Sequence, residues 1–217
     1  MFALYLNAVP ETGIFKHKNL RIGGSSELYQ KYDTRFGDLS AILIDNLPFY
    51  AEMKNIPNKE ISLMSDWNVK MNAIINAARN EDVGSLTGVP SWMMVVLQKL
   101  LTETGQHHLD DLWPNIEVFF HGGISFKPYA ENYRLISQKQ LNYFELYNAS
   151  EGFFGIQDQL NSKDLLLLLD NGIFYEFIPM EEFGNENQRF LTIAEVEVDK
   201  NYAMVISTNG GLWRYII

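Results

Sequence analysis

The sequence predicts an α/β portion that gives way, near residue 150, to an antiparallel β portion. Three observations support this. Up to residue 150, short apolar stretches that read as strands alternate with stretches of helical spacing. Beyond residue 160 the pattern is strand after strand, and the turn signal Asn209-Gly210-Gly211 separates the last two. No internal repeat or low-complexity linker divides the halves, so residues 1–150 and 151–217 are expected to share one domain.

Taken in order, LRIGG (20–24) reads as a strand and SSELYQKYDTRF (25–36) as a helical segment; AILI (41–44) reads as a second strand, again followed by a helical pattern. A helix opens at Ser65 or Asp66, since both residue types cap, and carries Trp67, Met71, Ile74, Ile75 and Ala78 on one face. Another starts at Pro90-Ser91 and runs through WMMVVLQKLLTE, with proline suited to the first turn. Both are expected to pack on a sheet. IEVFFHGG (116–123) is a strand and KPYAENYRLI (127–136) a helix; LNYFEL (141–146) alternates and is rich in aromatics, so it reads as a strand with Asn148, Ala149 and Ser150 as its turn. The remaining strands are DLLLLLD, GIFYEFIPM, FLTIAEVEV, YAMVIST and GLWRYII.

Composition bounds the function classes. The 217 residues are 47% hydrophobic and 13% aromatic, enough for a sizeable core. A net charge of -10, with 17 scattered basic residues, argues against nonspecific binding to nucleic acid or to an anionic membrane surface. There is no cysteine, which excludes disulfides and thiolate metal sites and permits a reducing compartment. The longest apolar run, Leu165 to Leu169, is far too short to span a bilayer, and MFALYLNAVPETG lacks a basic region ahead of a long apolar stretch. The expected location is cytoplasmic.

Several chemistries can be weighed on spacing. His17, His107, His108 and His121 show no HExxH spacing, so the adjacent pair reads as polar surface rather than as zinc ligands. Asn148-Ala149-Ser150-Glu151-Gly152 nearly matches the nucleophile elbow of serine hydrolases, but Asn148 stands where that turn needs glycine and no histidine is singled out as the base. Gly122-Gly123 follows a strand and precedes a helix, an arrangement that lets backbone approach a nucleotide, although neither it nor Gly23-Gly24 forms GxGxxG or a Walker loop. Each pair also reads simply as a tight turn. Ser150 and Glu151 likewise read either as caps of the next segment or as polar groups at a strand's carboxyl end, where open α/β sheets hold ligands.

HGGISF followed by YNASEGFFGIQ, NGIFYEFIPM and NGGLWRY, with LRIGGSS and SLTGVPSWM upstream, resembles the auxin-responsive Gretchen Hagen family of acyl-acid amido synthetases, a branch of the adenylate-forming enzymes. The resemblance covers nearly all of the chain, in the family order. It implies an α/β fold, a fragment of the adenylate-forming large domain, in which the α/β sheet portion (1–150) is followed by an antiparallel β portion (151–217). It implies that ATP activates a carboxylic acid as an acyl-adenylate with loss of pyrophosphate, and that an amine, typically of an amino acid, then displaces AMP to give an amide. On the residues that match, Glu151 would hold magnesium against the phosphates and Ser150 would hydrogen-bond one of them. Gly122 and Gly123 would line the adenosine pocket, Tyr147 would pack on the nucleotide, and one of Phe174 and Tyr175 would stack on adenine, since strand side chains alternate faces. Thr87, Gly88 and Val89, with Phe153, Phe154 and Gly155, would wall the acyl group.

Other parts of the family pattern are missing from these residues. The Ser/Thr/Gly-rich phosphate loop would lie upstream of Leu20, and the aspartate that holds the ribose, with the small domain carrying the catalytic lysine, would follow Ile217. The expectation is therefore an internal fragment, inactive by itself. The alternatives are a noncatalytic nucleotide-binding module and a serine hydrolase built on Ser150.

Overall fold

Helix α1 (Phe2–Ala8) buries Tyr5 completely against Phe120 and Phe144, the rings meeting edge to face at centroid separations of 5.5 and 5.3 Å. This is the computed structural model of the chain, and it describes residues 1–23 and 28–217. It resolves into two compact units, Met1–Asn148 with Gly155–Leu166 and Ala149–Phe154 with Leu167–Ile217.

In the first unit, strand β1 (Lys18–Ile22) is followed by a hairpin of β2 (Leu28–Lys31) and β3 (Thr34–Gly37), where a helix is expected from sequence. Tyr29 stacks on Phe36 across that hairpin at 5.7 Å, a cross-strand aromatic pair that helical spacing cannot provide. Gly24, Ser25 and Ser26, which belong to the expected LRIGGSS signature, lie outside the described residues. AILI, expected as a strand, forms helix α2 (Leu39–Asp45) because Asp38 caps it, accepting from the Ser40 amide at 2.8 Å. Short elements follow: α3 (Phe49–Lys54), β4 (Asn55–Ile56) and α4 (Lys59–Ser62).

Helix α5 (Trp67–Ala78) starts where the sequence indicates, with Asp66 accepting from the Val69 amide, and buries Met71, Ile74, Ile75 and Ala78. Trp67 departs from that face and is 41% exposed. Strand β5 (Val83–Gly88) leads into α6 (Pro90–Thr104), which has proline in its first turn and ends on Gly105 in the left-handed conformation. Then come α7 (Leu109–Leu112), β6 (Val118–Gly122), α8 (Ala130–Leu135) and β7 (Asn142–Ala149). Strand β7 extends through Asn148 and Ala149, which were expected in a turn; the turn is Ser150-Glu151, and it leads directly into β8 (Gly152–Ile156).

The sheet order is β4-β1-β5-β6-β7-β8-β9, with β9 only Leu166–Leu167 of the expected DLLLLLD strand. The contacts from β4 through β7 are parallel. Alternation divides the side chains between two faces. Leu20, Ile22, Leu86 and Phe119 join the core formed by α5 and α6, while Val118, Phe120 and Phe144 pack with Tyr5 on the other face. Further along that second face the strands turn polar: Asn19 donates to Asn55 Oδ1 at 2.7 Å and accepts from Ser85 Oγ at 3.0 Å and Thr87 Oγ1 at 2.9 Å.

The second unit is built on an antiparallel sheet of β10 (Ile173–Pro179), β11 (Tyr202–Thr208) and β12 (Tyr215–Ile216). Its core holds Phe154, Tyr175 and Ile206. FLTIAEVEV is not a strand. Leu191 alone bridges to Phe177, and Val198 is 90% exposed, so alternating charges there mark a solvated loop instead of a half-buried ladder.

Candidate functional site

The carboxyl ends of β1, β5, β6 and β7 open into a cleft of about 520 Å³ in the first unit, lined also by α2 and the Asn46-Leu47-Pro48 loop. It gathers five residues singled out from sequence, Thr87, Gly88, Val89, Gly122 and Gly123. The glycines are there for want of space. A Cβ on Gly122 would stand 2.3 Å from the Leu146 carbonyl oxygen, and one on Gly88 would stand 2.7 Å from that of Ile22. Gly123 has φ +82°, which side chains rarely adopt. The cleft edge is therefore bare backbone, the surface against which a flat or phosphorylated ligand can be held closely.

Other residues join the lining. Arg21 is the cross-strand partner of Thr87, which in turn pairs with Phe120, so the three form a row on the second face of the sheet. Asn148 and Leu146 extend this lining along β7. Arg21 was legible in the alternation of LRIGG, which sends Leu20 and Ile22 to one face and Arg21 to the other. Burial lowers the pKa of its guanidinium, an effect that attraction to Glu52 partly opposes. His121 is buried and stacked on Phe126 at 4.3 Å; its Nδ1 has no hydrogen-bond partner, and burial lowers its pKa to about 4. It is neutral at physiological pH.

Tyr147 is 41% exposed and, by alternation, lies on the opposite face of β7 from Leu146 and Asn148. Gly155 is buried beside Leu165, where an added Cβ would come within 3.3 Å. The other candidates belong to the second unit. Ser150 is exposed and Glu151 half-buried in the two-residue turn. Phe153 is at the surface, whereas Phe154 is fully buried in the core, a packing role rather than a wall of a ligand site. Phe174 is 58% exposed; Tyr175 is buried, with its hydroxyl donating to the Leu168 carbonyl at 3.0 Å. The turn at Ser150 joins strand to strand, so neither a nucleophile elbow, which runs from strand to helix, nor a helix cap is formed there. Among the described residues no group of three His, Asp or Glu can hold a metal ion on its own, and no helix is long and apolar enough to cross a membrane.

Residues 12–141 match the GH3 family N-terminal domain and residues 166–217 the GH3 family central domain. The chain belongs to the GH3 family. This is the Gretchen Hagen family indicated by the sequence motifs. Indole-3-acetic acid-amido synthetase GH3.3 of Arabidopsis thaliana is 32% identical over 111 residues, which cover 48% of this chain and 18% of that protein. GH3.4 of the same plant is 29% identical over 158 residues, 67% of this chain and 24% of that protein. Among solved structures, the GH3.15 acyl acid amido synthetase aligns with 100% of this chain and 47% of its own, with a TM-score of 0.75 at 13% identity. The complex of AtGH3.15 with 2,4-DB aligns with 99% of this chain and 46% of its own, with a TM-score of 0.70. The chain thus has the GH3 fold and spans about a quarter or less of the curated relatives it matches.

Proposed function

We propose that the protein carrying this chain is an ATP-dependent acyl-acid amido synthetase, which activates a carboxylic acid as acyl-adenylate and passes the acyl group to an amine, typically of an amino acid. The observation that carries this reading is the cleft at the strand ends, where Thr87, Gly88, Val89, Gly122 and Gly123 meet within the span matched by the GH3 N-terminal domain. The amido synthetase names of its relatives support it.

In this reading Gly122 and Gly123 offer backbone to adenosine, and Thr87 to Val89 face the acyl group. Phe174, the exposed member of its pair, stacks on adenine. Ser150 donates to a phosphate, Tyr147 packs on the nucleotide, and Phe153 contributes to the acyl wall. Glu151 would hold magnesium, which would supply positive charge against the phosphates. The reaction draws on cytoplasmic ATP.

Acid-dependent exchange of pyrophosphate into ATP by the full-length protein, screened over aryl and alkyl acids, tests reaction and substrate together. Exchange that needs one class of acid is the expected result. ATP-independent ester hydrolysis lost in Ser150→Ala, with no exchange for any acid, would overturn it.

A further inference from the structure

Arg21 is the single ionised side chain among the described residues that line the cleft. Among the described residues the lining holds no aspartate or glutamate, and His121 is neutral. The lining is thus cationic in a chain of net charge -10, with Glu52, outside the lining, attracting the guanidinium without forming an ion pair with it. No ion pair engages Arg21 among the described residues, and its Nε is buried without an acceptor. A desolvated guanidinium with an unused N–H is costly to keep, and an incoming anion that accepts from it removes that cost. We propose that Arg21 sets the charge specificity of the cleft, its guanidinium receiving the carboxylate of an organic acid whose apolar body lies against Ile22, Leu43, Leu47 and Leu146. This rests on the amido synthetase reading and adds to it the residue that recognises the acid.

Two features favour a carboxylate over a phosphate of the nucleotide. The guanidinium fork matches a planar carboxylate with two parallel bonds, and the apolar walls suit the rest of such a molecule. A polyphosphate carries several charges, and among the described residues this lining has one cation to meet them.

The test is calorimetric titration of the full-length protein with benzoate, phenylacetate and octanoate, each paired with its neutral amide, and with ATP. The wild type should bind at least one acid about ten- to a hundredfold more tightly than its amide, the size expected of a charged hydrogen bond. Arg21→Gln should abolish that preference while leaving amide affinity within about twofold, and Arg21→Lys, which keeps the charge without the fork, should retain part of it. Thermal melting identifies a variant that fails to fold, in which case the wild-type ratio and Arg21→Lys decide. An acid preference that survives in folded Arg21→Gln, or a wild type that binds amide as tightly as acid, overturns the proposal and leaves the amido synthetase reading intact. Selective loss of ATP binding in Arg21→Gln reassigns the residue to phosphate and likewise overturns it. If the wild type binds neither acids nor amides and catalyses no pyrophosphate exchange, the reading of the cleft itself falls, and this proposal with it.

Discussion

Arg214 donates from Nε and Nη2 to the two carboxylate oxygens of Glu176, at 3.0 and 2.7 Å, with its guanidinium carbon 4.4 Å from the ring centroid of Phe190. Glu176 sits on the central pairing of β10 with β11 and is only 8% exposed. Arg214→Met would leave that carboxylate buried and unpaired. Because Arg214 is itself half exposed, the expected loss is about 1–3 kcal/mol in urea unfolding. Adding Glu176→Leu to the same chain should recover most of it, since the loss comes mainly from the stranded charge.

His121 makes stability depend on pH. Burial holds its folded pKa at about 4, against 6.5 for the free side chain. Its contribution is complete above pH 6.5, declines as pH falls towards 4 because the unfolded chain takes up a proton that the folded chain refuses, and is constant below that. The decline should be on the order of 2–3 kcal/mol. Urea midpoints between pH 4 and 7.5 should show a flatter profile for His121→Gln; an unchanged slope would place the titrating group elsewhere.

Gly122→Ala drives a methyl group into the Leu146 carbonyl, which lies 2.3 Å from the built Cβ. The neighbouring group is backbone and cannot swing aside, so β6 and β7 must separate at the mouth of the cleft. A loss of about 1–3 kcal/mol is expected, with faster amide exchange at Leu146 and Asn148. Wild-type stability and exchange in this variant would contradict the packing.

Phe174 and Tyr175 should part company on substitution. Phe174→Ala, at an exposed position, should change stability by less than about 0.5 kcal/mol yet weaken ATP binding about three- to tenfold if the ring stacks on adenine. Tyr175→Ala empties part of the core and should cost about 3–5 kcal/mol. Equal ATP affinity in wild type and Phe174→Ala would remove the stacking role.

Glu151→Gln in the full-length protein keeps the size of the side chain and removes the charge that, in the proposed function, balances magnesium. Adenylation should slow on the order of a hundred- to a thousandfold, with little change in melting temperature, because the residue stands in a hairpin turn outside the core. Near-normal pyrophosphate exchange at ordinary magnesium would end that assignment.

The long helices were legible because each signal was redundant. In α5, four buried positions at helical spacing agree with the Asp66 cap, and in α6 proline at the start agrees with glycine at the end. The short elements carried one signal each. Four apolar residues, AILI, fit a strand or a helix, and the Asp38 side chain decided between them. Along the cleft, close approaches demand glycines: the Gly122-Gly123 pair shows in the sequence as a strand end, whereas Gly88 enters only through the family resemblance. The alternation of LRIGG shows that Arg21 leaves the core face, but only the neighbouring strands show what it faces instead. Phe153 and Phe154 look alike in sequence, and only the packing separates them, Phe154 into the core and Phe153 at the surface.

The side chain of Asn19 has a wider consequence. Neighbouring parallel strands can slide by two residues and still present the same face to the core, and on their core face β1 and β5 offer only apolar side chains to one another. The amide of Asn19 touches Asn55, Ser85 and Thr87 at once, so such a slide would strand three polar groups together. It acts as an index pin, fixing how far β1 and β5 extend beside each other and hence setting Arg21 opposite Thr87. Removing it by Asn19→Leu would threaten alignment before it threatened burial, and the chain would lose the spacing of the cleft mouth while keeping a well-filled interior.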